Sequence, residues 1–400
     1  MTKQGARGFL GPLGVFMRAL PLAVLFGLAG CTVNLSPPSI TDFSPKLGRP
    51  GDMVQIRGSG LAETVRVEFA GVSTFFSIVD DGLVVAQVPS GRGGTIKVTT
   101  TTGTTVTTAR FSVFTEFGTW AGAKPRAVAV GLLGSIWFTD TSGALGMLAA
   151  NGALTSFTLP WNGGRPTGLA STGLGSIWFG DTGQHAIGLL TSLSSLVSFG
   201  GLPAQGGPQG VALNSLGSVW VALSLVSQVA VREPTGQATM VLLSTGPSTP
   251  WSVALDSLGS VWVTEFAGRR LTRLTSTGGA ASFSLPWGGT PRGVAITSLG
   301  SVWFTDEAGN AIGLRHPDGL FVSYGVPTAL ASVWGIAMDP AGTVWFSEAA
   351  GNKLGRLQNG TVTEFAIPTG DSRPLDLTLD GGGSIWFAES GAGQLGRLSP

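Results

Sequence analysis

The chain has 400 residues, with 63 glycines, 12 tryptophans, a single tyrosine and only 11% charged side chains, a composition of short strands and tight turns. Its formal charge is +1, and loss of Lys3, Arg7 and Arg18, which precede Cys31, leaves 20 basic against 22 acidic side chains, so there is no electrostatic case for nucleic acid. Cys31 is the only cysteine, which excludes a disulfide within the chain.

Residues 1–30 read as a secretory signal, because the basic Arg7 and Arg18 are followed by an apolar run, 19–30, too short to span a bilayer. The segment Leu28-Ala29-Gly30-Cys31 resembles a bacterial lipobox, in which the cysteine is acylated and becomes the mature N-terminus. A free cysteine behind an ordinary signal is the other reading. Acyl chains on Cys31 would hold the protein at a membrane, so the expected location is extracytoplasmic, lipid-anchored at a bacterial membrane or cell surface. Met17 is a second candidate start, and residues 31–37 form a short tether.

From 38 to 114 apolar and polar residues alternate between turns, as in Met53-Val54-Gln55-Ile56-Arg57 and Ile96-Lys97-Val98-Thr99, which predicts a small antiparallel sandwich. The threonine run 99–108 fits a hairpin about Gly103, since threonine is β-branched. This segment resembles an IPT/TIG domain, an immunoglobulin-like module that serves as a spacer or adhesion unit.

Beyond it, Trp137, Trp178, Trp220, Trp262, Trp303, Trp345 and Trp386 recur at intervals of 41, 42, 42, 41, 42 and 41 residues. Such a period defines a repeat architecture. Each unit has a Pro-x-Gly-like start, a turn ending Gly-Ser, a Val/Ile-Trp-Phe strand, an Ile/Leu-Gly-x-Leu strand and a last apolar strand. Four short strands per unit give a β-propeller blade, and seven tryptophans give seven blades over 115–400. The fold class is therefore all-β, an immunoglobulin-like sandwich followed by a seven-bladed propeller. The last unit ends without a fourth strand, which residues 113–119 are expected to supply, closing the ring and removing two sheet edges.

The tryptophans read as packing between blades. Three residues after each stands a carboxylate, Asp140, Asp181, Glu265, Asp306, Glu348 or Glu389, with Leu223 in the third unit. They either accept backbone hydrogen bonds in the turns or gather as a site for a divalent cation, magnesium or calcium, or for a cationic ligand. The blade starts carry a variable residue, Arg126, Thr167, Gln209, Trp251, Arg292, Trp334 and Leu375. With Trp161 and Trp287 in the connecting loops, that end offers arginines, aromatic platforms and carboxylates suited to a polar cyclic or glycan-like ligand, or to a protein. The two histidines, His185 and His316, lie in different turns and assemble no catalytic set.

The unit Pro-x-Gly-Val-Ala, Gly-Ser-Val-Trp-Phe-Thr-Asp/Glu, Asn-x-Ile/Leu-Gly-x-Leu is similar to virginiamycin B lyase and its relatives. The resemblance implies a seven-bladed propeller that opens the lactone of streptogramin B antibiotics by elimination with magnesium. It implies a catalytic histidine between Pro and Gly at a blade start and a glutamate at the Glu265 position; here no blade start holds histidine. Without that base, proton abstraction has no evident agent. The expected function is thus a cell-envelope lipoprotein with a ligand- or partner-binding propeller. The alternatives are a divergent metal-dependent lyase acting on a cyclic lactone and a purely structural envelope protein.

Overall fold

A computed structural model describes residues 37–191, 195–243, 246, 248–275 and 279–400. The signal, Cys31 and the tether up to residue 36 lie outside the described residues.

Seven four-stranded antiparallel sheets follow one another: blade 1 (125–158), blade 2 (166–199), blade 3 (208–242), blade 4 (250–284), blade 5 (291–325), blade 6 (333–366) and blade 7 (374–399 with 113–118). In each, the first strand lies against the first strands of both neighbouring blades, and that of blade 7 meets that of blade 1. The ring is closed, with the first strands lining its axis.

Two glycine positions explain how the repeat packs. The glycine of the third strand lies under the phenylalanine after the repeat tryptophan: a Cβ on Gly146, Gly188, Gly313, Gly355 or Gly396 would stand 2.0–2.1 Å from the ring of Phe138, Phe179, Phe304, Phe346 or Phe387. Blades 3 and 4 keep the volume constant by the opposite exchange, pairing Val221 with Ala230 and Val263 with Thr272. The glycine of the Pro-x-Gly start touches the next blade: a Cβ on Gly168, Gly210, Gly293 or Gly335 would be 2.3–2.8 Å from the neighbouring first strand.

The repeat tryptophans do pack between blades. Trp137 joins Ile177 and Phe179 of blade 2, and Trp262 joins Val302 and Phe304 of blade 5. Most are also covered by an aromatic ring of their own fourth strand, as in Trp137 on Phe157 at 5.4 Å and Trp303 on Tyr324 at 5.8 Å.

The N-terminal module has two sheets around a core of Phe43, Ile56, Leu61, Phe69, Ile96 and Phe111. It is not wholly antiparallel, since Leu47 and Gly48 pair in parallel with Ser112 and Val113. In the threonine run Thr100 pairs with Gly103, so the turn is made by Thr101 and Thr102. One uninterrupted strand, Gly103–Gly118, belongs to both parts. Its first part pairs with Gly94–Thr100 in the module; residues 113–118 pair with 394–399 and complete blade 7. Val113 faces the module core and Phe114 the core of blades 6 and 7. The sequence boundary at 114/115 therefore falls inside a single strand. Arg49 to Glu116, Arg92 to the Gly382 carbonyl and Arg397 to the Gly91 carbonyl fasten the module to the ring.

Candidate functional site

The blade starts converge on the axis because the main chain there is stitched from blade to blade. The hydroxyl two residues after the repeat tryptophan donates to the carbonyl of the next blade's variable residue: Thr139 to Thr167, Thr264 to Arg292, Thr305 to Trp334 and Ser347 to Leu375. Where blade 2 has Gly180 instead, Thr167 reverses the pattern and bonds the Pro208 carbonyl at 2.8 Å. Thr167 and Leu375 are buried.

The remaining five variable residues meet at this end of the axial channel. A cavity of about 180 Å³ is lined by residues of all seven first strands, among them Arg126, Gln209, Trp251, Trp334 and Asp376. Trp251 and Trp334 are edge to face at 5.5 Å between ring centroids. The Arg292 guanidinium lies 4.4 Å from Trp251, 4.1 Å from Trp334 and 4.5 Å from Phe266, with its Nε on Glu307 at 2.6 Å. It packs against both indoles by cation–π contact. Arg126 sits 5.6 Å from Trp251 and donates from Nη2 to Gln209 Oε1 at 2.6 Å.

Two groups here are displaced from their ordinary protonation equilibria. Burial, and the positive charge of Arg292 next, bring the Arg126 pKa down to about 10. Burial raises Asp376 to about 6, partly opposed by the Val128 N–H at 3.2 Å and by Arg126. Asp376 is the charged residue that the list of variable positions passed over. Its sequence signal is its place, since it occupies the position that four other blades give to glycine. Glu307, beside Asp306, was likewise not singled out.

The other site candidates lie elsewhere and are largely committed. Asp140, Asp181 and Asp306 are fully buried acceptors. Asp140 takes Trp120 Nε1 at 2.7 Å, the Lys124 and Ser142 N–H groups at 2.9 Å and the Ser142 hydroxyl at 2.6 Å. Asp181 takes Trp161 Nε1 at 2.7 Å and Asp306 takes Trp287 Nε1 at 2.6 Å, each with backbone N–H donors as well. Trp161 and Trp287 thus act as loop clamps and do not line the axial cavity.

Glu265 is held by Arg270 through Oε2 and by Thr272 through Oε1. Glu348 has both oxygens buried without a partner, and burial pushes it up to about 7. Glu389 accepts, among the described residues, from Gln394 at 2.9 Å and is likewise raised to about 7, chiefly by burial. Among the described residues, no three His, Cys, Asp or Glu side chains group so as to hold a metal ion. With Glu265 also spent on Arg270, the donor set does not fit magnesium. His185, at φ 50°, ends the turn after the second strand of blade 2, whereas His316 begins the turn after the third strand of blade 5, at the opposite end of the ring.

The chain matches the Virginiamycin B lyase family over residues 72–257 and 202–400. A streptogramin B lyase structure is 25% identical, with a TM-score of 0.68 over 72% of this chain and 97% of that one. A catalytically inactive virginiamycin B lyase from Staphylococcus aureus with quinupristin is 24% identical, with a TM-score of 0.69 over 72% and 99%. An auxiliary nutrient binding protein from Bacteroides ovatus shares the fold at 15% identity and a TM-score of 0.51, over 91% and 98%. No curated protein matches the chain.

Proposed function

We propose, from the premise that this chain belongs to the virginiamycin B lyase family, that it is a cell-envelope lipoprotein whose propeller binds a small organic ligand at its axial end without transforming it. The observation that carries this reading is the convergence of Arg126, Gln209, Trp251 and Trp334 on one open cavity. A concave site with aromatic walls and a few aimed polar groups is the general form of a small-molecule pocket. The seven blade-start positions hold Arg126, Thr167, Gln209, Trp251, Arg292, Trp334 and Leu375, so no imidazole stands there to take a proton. Acylation of Cys31 would tether the chain, and the N-terminal module, read as an immunoglobulin-like IPT/TIG spacer, would carry the pocket away from the membrane.

The test is thermal unfolding of the purified protein against a panel of small organic acids, amides and amines. At least one compound should raise the unfolding temperature of the wild type and leave the Trp251→Ala/Trp334→Ala variant unmoved. A panel that moves neither protein removes the binding reading.

The second reading, a metal-dependent lyase acting on a cyclic lactone, is favoured by family membership and by the 25% identity to a streptogramin B lyase. It requires quinupristin to be ring-opened in the presence of magnesium and Glu265→Gln to stop the reaction. We expect the chromatographic peak of quinupristin to remain unchanged.

A further inference from the structure

The unspent hydrogen-bonding capacity of the axial cavity has one sign. Arg126 carries five N–H donors and no acceptor, and its one hydrogen bond among the described residues goes to Gln209. The indole N–H groups of Trp251 and Trp334 make no hydrogen bond in the described structure, unlike those of Trp120, Trp161 and Trp287, which are bound to carboxylates. Arg292 Nη1 is buried behind the two indoles without a partner. Gln209 could have balanced these donors, but its carbonyl oxygen is taken by Arg126 and its amide reaches towards Ser224 at 3.4 Å. Asp376 is the one carboxylate on the wall, and its Oδ2 accepts from Val128 in the seam between blades 7 and 1.

We infer that the ligand of this pocket is a small planar organic carboxylate, gripped by the Arg126 guanidinium and the Trp251 and Trp334 N–H groups. This assignment rests on the binding reading above and adds the chemical class. A guanidinium fork matches a carboxylate with two parallel hydrogen bonds, and such charge-assisted pairs are about twice as strong as neutral ones. A bound anion would also offset the repulsion between Arg126 and Arg292, both of which lie by Trp251. A cavity of about 180 Å³ has room for one ring with its carboxylate. Arg292 is a positioning residue: it holds the indoles through Glu307 and Phe266 and adds positive potential. Asp376 opposes the anion and sets the upper limit on its affinity.

Benzoate, benzamide and benzamidine, which share a shape and differ in charge, separate the possibilities by calorimetric titration of the purified protein. Benzoate should bind at least tenfold more tightly than benzamide, and benzamidine should give no heat. Arg126→Gln should remove the preference for benzoate over benzamide, and Asp376→Asn should tighten benzoate severalfold. The unliganded unfolding temperature of each variant shows whether it is folded. Equal affinity for benzoate and benzamide, no binding of benzoate, or an Arg126→Gln variant that keeps the preference would each overturn the assignment. The binding reading falls separately, when the whole panel of acids, amides and amines leaves the unfolding temperature unmoved.

Discussion

Blades 1, 2 and 5 differ from blades 6 and 7 three residues after the repeat tryptophan, where aspartate gives way to glutamate, and in the entering loop, where Trp120, Trp161 and Trp287 give way to Thr328 and Thr369. Aspartate in the first group is short enough to stay beneath the loop that enters its blade, where an indole N–H and backbone N–H groups saturate it. Glutamate in blades 6 and 7 carries its carboxylate further along the sheet into a region that cannot fully solvate it, leaving oxygens unpaired. The same repeat position is thus a stabilising clamp in three blades and a buried, poorly matched acid in two. Blade 4 shows what a glutamate needs there: Arg270 and Thr272 supply the missing donors. Near-uniform occurrence along a repeat does not establish a common role.

The contrast can be tested by substitution. Removing a clamp should have the largest effect: Asp140→Ala orphans the Trp120 indole and two backbone N–H groups, with an expected loss of about 3–4 kcal/mol in denaturant unfolding. A loss below about 1 kcal/mol would show the clamp to be dispensable.

For the glutamates the sign reverses. The pKa of Glu348 rises from an ordinary 4.5 to about 7 in the folded protein, as does that of Glu389, so the folded state holds these protons more tightly than the unfolded chain. Stability is then full below pH 4.5 and falls as pH rises through 7. At pH about 8, Glu348→Gln and Glu389→Gln should each stabilise by about 2 kcal/mol and flatten the pH dependence between about 5 and 8. Destabilisation of both variants at pH about 8 would mean that these carboxylates are paired in solution.

The smallest effect should come from the other half of the clamp. Trp161→Phe keeps the ring and loses the N–H, at about 1.5 kcal/mol. Combined with Asp181→Asn it should show coupling of about 1 kcal/mol in a double-mutant cycle, whereas strict additivity would sever the pair.

The ring was legible in the sequence because a 41–42 residue period and a four-strand unit leave little freedom in architecture. The internal compensations were less so: Val221 with Ala230 and Val263 with Thr272 are ordinary strand residues until cross-strand register sets them opposite one another. The candidate site was legible as a list of seven blade-start residues, and five of them do meet: Arg126, Gln209, Trp251, Arg292 and Trp334. The list could not say that Thr167 and Leu375 are buried while the other five face the axis. Nor could it say that Trp161 and Trp287 spend their N–H groups on aspartates about twenty residues further on, a distance bridged only once the blade folds.

The strand Gly103–Gly118 bears on how such proteins are assembled over generations. A genetic crossover at the compositional change near residue 114 would exchange the N-terminal module but cut the ring's clasp in half, leaving the Gln394–Ser399 strand with a foreign or missing partner. Exchange of the module therefore requires that the incoming segment bring its own closing strand.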